Sequence, residues 1–471
     1  MTRSPAPAIA VWGTSSGAGK SLVATGLARW FARHGVRVVP FKAQNMSNHA
    51  RVVDGGEIGA AQWLQALAAG VRPDVRMNPV LTKPEGDGRS QVVVLGRVDE
   101  ELSGRLWRGR AASVWPLVRD AVDGLRADAD LVLVEGAGSP AEINLVDVDL
   151  ANLATAEHLD ARALIVTDID RGGAFAHLFG TWSLVPPEHR ARIDGFVLNG
   201  FRGDASLLAP APERLGEMTG VPTIGVIPRL DHALPDEDGA SFRPAVIGGR
   251  SRVAVVGYPT ASNLDELAAV VEVADVLVAT TPSDLCGADL IVLPGSKHVT
   301  SDAVWLERSG VGRAVVSAAS AGTRVAGICG GAQLLGRTIV DRDGVEGPAG
   351  HRVEGLGLLA VATELHRHKV VGTGTIEVAA DVDGPWGVLT GRRVEGYEIH
   401  HGVTGPHDGS QVWVDGPVLA TVAHGLFEDP DVVEAVLGRR PTGLEATFDL
   451  LADAVDEHLD HDALFRMARL T

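Results

Sequence analysis

At 471 residues the chain exceeds one ordinary hydrophobic core, so two domains are expected. Hydrophobic residues make up 45% and charged residues 22%, which excludes a disordered chain, and no apolar run approaches the ~18 residues of a membrane span. The net charge of -18 excludes a general nucleic-acid or membrane-surface binder, so any anionic ligand must be held by local cations and backbone amides.

The predicted elements start with short aliphatic runs at residues 9–12, 36–41, 130–134, 163–167, 195–198 and 223–227, which read as strands buried on both faces. Amphipathic stretches at 21–34 and 117–127 lie between some of them, the pattern of a parallel sheet flanked by helices. Residues 231–250 interrupt this alternation with acidic, Pro and Gly residues, as an interdomain linker does. A second alternation follows at 252–256, 276–279, 290–293 and 324–328. Gly-rich text with short alternating runs from 355 to 421 predicts antiparallel strands appended to the second sheet, and residues 445–470 predict a terminal helix. The expected fold class is therefore α/β: two domains, each a mostly parallel sheet flanked by helices. The expected division is 1–235 for the first domain, 236–250 for the linker, 251–440 for the second domain and 441–471 for a helical tail.

Two cysteines, Cys286 and Cys329, cannot build a disulfide framework or a zinc site alone, and residues 1–8 hold no apolar secretory core. A reduced, cytoplasmic protein is expected. Five of the 42 Lys and Arg residues are Lys: Lys20, Lys42, Lys83, Lys297 and Lys369. Where a surface needs only a cation this chain uses Arg, so a Lys hints that a compact ammonium is wanted. Lys369, in a stretch without a motif, reads as incidental.

Residues 13–21, GTSSGAGKS, join the first strand to the first helix. Gly13, Thr14, Gly17 and Gly19 can wrap backbone N–H groups around a phosphate chain, with Lys20 reaching the terminal phosphates and the Ser21 hydroxyl on magnesium. The usual GxxxxGK[ST] spacing requires Gly at position 14, where Thr14 stands; this variant resembles the loop of dethiobiotin synthetase and its relatives. In that resemblance Asn199 corresponds to an asparagine that contacts the adenine edge. A magnesium site also needs carboxylates at strand ends. Glu135, directly after the 130–134 strand, fits, and Asp54 is a further metal candidate. Glu57, Asp168 and Asp170 are others, although a helix cap or a solvated turn accounts for Asp54, Glu57 or Asp170 equally well.

Residues 324–333, RVAGICGGAQ, run strand, cysteine, two glycines, helix. Such an elbow exposes the thiol of Cys329, aims the Gly330 N–H at a developing oxyanion, and lowers the thiol pKa at the helix N-terminus. Gly295, in the loop LPGSK at 293–297, can supply a second oxyanion donor. His424, in AHGLF, is the candidate base. This order resembles class I glutamine amidotransferases, but the position two after the histidine, where many of them carry glutamate, is Leu426. The site therefore reads as a Cys–His dyad unless Glu428 or another acid assists. Cys286 has no elbow around it and reads as structural.

FKAQNMSN at 41–48, DGGEIG at 54–59, MNPVL at 77–81 followed by Lys83 and Pro84, and EGAGSPAEINL at 135–145 resemble the cobyric acid synthase family. So do DIDRGG at 168–173, LPGSK at 293–297, GICGG at 327–331, GYEIH at 396–400 and HGLF at 424–427. The resemblance covers nearly the whole chain. It implies a P-loop NTPase-like domain followed by a glutamine-amidotransferase-like domain. The implied activity is ATP-, Mg2+- and glutamine-dependent amidation of the b, d, e and g carboxylates of adenosylcobyrinic acid a,c-diamide. The corrinoid acceptor is a bulky polyanion, which gives Lys42, Gln44, Asn45, Lys83 and Arg171 an acceptor-binding role. The resemblance leaves room for a homo-oligomer. Cobyrinic acid a,c-diamide synthase is the nearest alternative, and KAQNM at 42–46 favours the four-amide enzyme. A partitioning-type P-loop ATPase would carry a second lysine where Ser15 stands and gives Cys329 and His424 no purpose. The chain departs from the usual family text at Ala332, His401 and Val422–Ala423, positions expected to flank the glutaminase pocket.

Overall fold

The computed structural model describes residues 5–86, 89–105, 107–232, 234, 250–405 and 411–470. The expected linker at 236–250, Arg250 apart, lies outside the described residues. The chain opens with β1 (Ala8–Gly13), α1 (Lys20–Arg33), β2 (Val38–Phe41), the hairpin β3 (Ala50–Val53) and β4 (Gly56–Gly59), α2 (Ala60–Ala68) and β5 (Val80–Gly86). The strands β6 (Leu131–Glu135), β7 (Arg162–Asp168), β8 (Ile193–Phe201) and β9 (Thr223–Pro228) follow. Six of these strands form one parallel sheet in the order β9-β8-β7-β1-β6-β2. The aliphatic runs of β1 and β6 are buried at every position, because helices cover both faces and leave no reason for alternation. β1 lies between β6 and β7, so the strand ends at Gly13, Glu135 and Asp168 reach the same edge of the sheet, where open α/β sheets bind ligands.

The second domain has β10 (Arg252–Val256), β11 (Asp275–Ala279), β12 (Leu290–Leu293), β13 (Arg324–Ile328) and α3 (Gly330–Leu335). It continues through β14 (Ala362–Glu377), β15 (Arg393–Thr404), β16 (Val412–Asp415) and β17 (Val418–Thr421). Its main sheet runs β11-β10-β12-β13-β17-β16, parallel except for β16. The Gly-rich text does not simply extend this sheet. Only β16 and β17 join it; β14 and β15 form a separate sheet with Thr338–Asp341 and His351–Glu354. The reason is occupancy: β17 takes the position beside β13, so the long hairpin must pair elsewhere. That hairpin leans on the first domain, where Ile399 packs against Ala50, Leu81 and Val93.

The tail predicted as one helix is two, α4 (Leu444–His458) and α5 (His461–Met467), and both return to the first domain. Leu451 and Val455 share a core with Leu27 and Phe31 of α1. Gly26 allows this close approach, since a Cβ there would stand 2.9 Å from the Leu451 carbonyl oxygen. Arg29 pairs with Asp449 at 2.8 Å, and the Trp30 indole donates to Asp456 at 2.9 Å. The helix breaks because Leu459 bridges to Gly225 of β9 and the Asp460 N–H donates to the Ile224 carbonyl at 2.8 Å. The Asp460 carboxylate then caps α5 through the Ala463 N–H. Among the described residues, no helix is long and apolar enough to cross a membrane.

Candidate active sites

The phosphate-binding loop is anchored at its start and its end. The Thr14 N–H donates to the Val166 carbonyl at 3.0 Å, and the Thr14 and Thr167 hydroxyls lie 2.9 Å apart, pinning the loop to β7. Gly17 and Gly19 take φ of 71° and 98°, the left-handed region that glycine enters without strain. Lys20 opens α1 and folds back to the Ser15 carbonyl at 3.1 Å. The Ser21 hydroxyl donates to Glu135 Oε1 at 2.9 Å, and Lys42 Nζ meets the same oxygen at 2.8 Å. Gln65 of α2 donates to the other oxygen, so the fully buried Glu135 is held by three elements. Sequence reading missed Gln65, because nothing in α2 marks it.

Several expectations for this half change. Asp54 is not beside Ser21 and Glu135: it occupies the exposed turn between β3 and β4 with φ of 50° and pairs with Arg72. Asp-Gly is hairpin-turn chemistry, which explains its place without a metal. Lys42 stands at the Glu135 cluster. Arg171 pairs with Asp168 at 3.1 Å, and its guanidinium lies 3.7 Å from where a Cβ on Gly17 would be, so it borders the phosphate loop. Asn199 also turns to the loop, its amide nitrogen donating to the Ala18 carbonyl at 3.3 Å. Asn45 is buried and donates to Gln62 at 3.4 Å, whereas Gln44 and Met46, its neighbours on the short strand Gln44–Met46, are more exposed. The strand alternation separates them.

Lys83 is buried and bonded to Glu57. Lys369, read as incidental, reaches the other oxygen of Glu57 at 2.6 Å from the second domain and Gln91 at 3.2 Å. Burial would raise the Glu57 carboxyl, but Lys83, Lys369 and Lys297 hold it far below its usual range. Desolvation, followed by the neighbouring ammoniums, pushes Lys297 well below its ordinary value. Lys369, desolvated and facing Lys83, falls to about 8. All five lysines thus sit at one of two buried acidic residues or in the phosphate loop.

In the second domain Cys329 occupies the elbow between β13 and α3 with φ of 52°, a strained conformation for a side-chain-bearing residue. The elbow closes because Gly331 lies against Leu293: a Cβ there would stand 1.9 Å from its carbonyl oxygen. The Cys329 thiol lies 3.8 Å from the Ile399 carbonyl oxygen, and His424 is near enough to act on its charge. The His424 ring stacks on Tyr397 with centroids 5.1 Å apart, and its backbone pairs with Tyr397 in both directions. Gly295 abuts the imidazole, since a Cβ on it would lie 3.1 Å from His424 Cε1.

An acid does orient the histidine. Glu266 Oε1 lies 3.1 Å from His424 Nδ1, and its other oxygen accepts the Gly425 N–H at 3.0 Å. Leu426 is buried in the core and Glu428 pairs with Arg51, so neither fills this role. Burial would raise the Cys329 thiol and lower His424. The opposed charges win: Cys329 is lowered by His424, and His424 is raised by Glu266 and the Cys329 sulfur. A thiolate–imidazolium pair is the arrangement of an activated cysteine nucleophile. Ala332 is buried in the core. Val422 and Ala423 are buried where β17 leads to His424. His401 Nδ1 donates to the His366 carbonyl, 3.1 Å away. Cys286 is exposed and not a core thiol, because it follows the short turn Pro282–Leu285 at the surface.

Residues 9–239 match the CobQ/CobB/MinD/ParA nucleotide binding domain, and residues 252–432 match the CobB/CobQ-like glutamine amidotransferase domain. Over 97% of its length the chain is 51% identical to the cobyric acid synthase of Variovorax paradoxus, covering 98% of that protein. The chain belongs to the cobyric acid synthase family. The cobyric acid synthase of Polaromonas sp. (strain JS666 / ATCC BAA-500) is 47% identical, with 98% of this chain and 99% of that protein covered. That of Acidovorax sp. (strain JS42) is 49% identical, with 98% of each covered. The family and the two matched domains make the chain a glutamine-dependent, amide-forming ligase that uses ATP.

Proposed function

We propose that this enzyme amidates the b, d, e and g carboxylates of adenosylcobyrinic acid a,c-diamide, in the cytoplasm, with ATP, Mg2+ and glutamine. The carrying observation is that one chain holds both a Cys329–His424–Glu266 line and a phosphate loop whose Ser21 meets Glu135. Near full-length relatives named cobyric acid synthase support the four-amide reading over the a,c-diamide alternative.

In the second domain the Cys329 thiolate attacks the carboxamide carbon of glutamine and forms a C–S bond. The N–H groups of Gly330 and Gly295 are the proposed oxyanion donors. The His424 imidazolium gives its proton to the departing nitrogen, the C–N bond breaks, and ammonia leaves a thioester. Water, deprotonated by His424, hydrolyses the thioester, and glutamate and the ion pair are restored. Glu266 keeps the imidazole oriented and stabilises its charged form.

The first domain fits a magnesium nucleotide on two observations. The Ser21 hydroxyl and the Glu135 carboxylate present oxygen, the ligand type Mg2+ takes, and the left-handed glycines form a cradle that side chains would block. Bound ATP with Mg2+ would supply the phosphoryl group that turns an acceptor carboxylate into an acyl phosphate. Lys20, Lys42 and Arg171 border this site and offset phosphate charge. Ammonia then attacks the activated carbonyl carbon and phosphate leaves. Gln44 and Lys83 remain proposed acceptor contacts, with Asn45 supporting the strand that carries Gln44.

The test is amidation of the a,c-diamide with ATP, Mg2+ and glutamine labelled with 15N at the amide. Four labels in the final corrinoid are expected. A product with no label, or an a,c-diamide acceptor left unchanged while less amidated cobyrinic acid gains two, overturns the proposal.

A further inference from the structure

The base of the glutaminase centre is braced by a residue of the other domain. Arg51 lies on β3 of the ATP-binding domain and is buried. Its Nη1 lies 2.6 Å from Asp265 Oδ2 and donates to the Tyr397 hydroxyl at 2.7 Å, while Nη2 lies 2.7 Å from Glu428 Oε1. The guanidinium stands 5.1 Å from the Tyr397 ring centroid and 5.2 Å from that of Trp63 on α2. Its neighbour His49 meets Asp265 Oδ1 at 2.9 Å.

Asp265, Tyr397 and Glu428 each adjoin the catalytic line in the chain or in space. Asp265 and Glu266 are consecutive residues of the turn Leu264–Leu267, so fixing the first fixes the backbone that aims the second at His424. Tyr397 stacks on the His424 ring and pairs with its backbone. Glu428 is two residues past Leu426, in the turn Leu426–Glu428 that follows His424. Asn263, which precedes the Leu264–Leu267 turn, donates to the Ala50 carbonyl and to the Tyr397 hydroxyl, both at 3.2 Å. One guanidinium from the first domain thereby ties together the three segments that orient the base. Planar, multidentate contact of this kind is what Arg offers and Lys does not.

We infer that Arg51 is a positioning residue for the glutaminase: the ATP-binding domain supplies it, and His424 is held in its working orientation only while β3 is docked. The contacts of Arg51 among the described residues do not include the phosphate loop. Arg51 acts through Asp265, Tyr397 and Glu428. The inference rests on the proposed roles of Cys329 and His424.

The experiment compares Arg51→Met with the parental enzyme under two nitrogen sources, glutamine and ammonium chloride, each with ATP, Mg2+ and the corrinoid acceptor. The glutamine-driven kcat is expected to fall about 10-fold or more, in the range that a positioned base contributes. The KM for glutamine and the ammonia-driven rate are expected to stay within about two-fold, and Arg51→Lys to restore only part of the loss. A merely structural role would depress both nitrogen sources together, and that result overturns the inference, as does an unchanged glutamine-driven kcat. Should Arg51→Met prove insoluble, Tyr397→Phe decides, because it removes only the hydroxyl that Arg51 and Asn263 grip: a selective loss with glutamine supports the inference and parental behaviour overturns it. If the parental protein itself does not use glutamine, the proposed function has failed, and not this inference.

Discussion

The phosphate loop and the glutaminase centre differ in how far along the chain their parts lie. The loop takes its glycines, Lys20 and Ser21 from residues 13–21, and draws Glu135, Lys42 and Arg171 from elsewhere. The glutaminase centre joins Glu266 to His424 across 158 positions, with Cys329 on a third segment and Arg51 from the other domain. A phosphate is held largely by backbone N–H groups that one turn can aim. A nucleophile, its base and an orienting acid need three side chains at fixed angles, which one segment cannot supply.

The sharpest way to break this comparison is to remove one centre and feed the other. Cys329→Ala should drop glutamine-driven amidation to background while ammonium salt at mildly alkaline pH restores it with full ATP dependence. Lys20→Ala should abolish amidation from both nitrogen sources and leave some glutamine hydrolysis. Corrinoid amide formation and glutamate release, measured side by side, check both; a folded Cys329→Ala enzyme that cannot use ammonia would falsify the division of labour.

A smaller effect is expected at the acid that joins the distant segments. Glu266→Gln should lower glutamine kcat/KM by about 10- to 1,000-fold, less than loss of the nucleophile, because the ion pair retains part of its stabilisation. The carboxylate favours the imidazolium, so its removal lets His424 lose its proton at lower pH. The descending alkaline limb of the kcat/KM profile should therefore move to lower pH. An unchanged limb would show that Glu266 does not face the working histidine.

Lys42 sharpens the comparison on the other side. Lys42→Ala should raise the ATP and Mg2+ requirement by more than the KM for the corrinoid, since its ammonium meets Glu135. The reverse ranking, read from initial rates with each ligand varied, would return Lys42 to the acceptor surface. The smallest effect is at Asp54. Asp54→Asn keeps the turn chemistry and should change neither the Mg2+ dependence nor the stability by more than about 0.5 kcal/mol.

Much of this was legible in the text of the chain. Strands buried on both faces announce themselves as aliphatic runs, and the elbow at Cys329 and the loop at Lys20 carry fixed local spacing because a backbone turn sets their geometry. The supporting residues were not legible. Gln65, Glu266, Lys369 and Arg51 belong to no motif, and the nearest acid in sequence to His424 with a free choice of role, Glu428, turned out to serve Arg51.

The sequence by itself determined the two parallel sheets, the phosphate loop, the nucleophile with its histidine, and the family. Each of these is encoded within a few consecutive residues, where hydrophobic periodicity or a turn acts directly. Only the tertiary structure decided that the terminal helices return to α1, that Lys42 and Arg171 border the phosphate loop, and that Glu266 orients His424. These are choices among many chemically equivalent acids and cations. What selects one of them is burial beside a particular partner, a property of the packed chain that spacing does not carry.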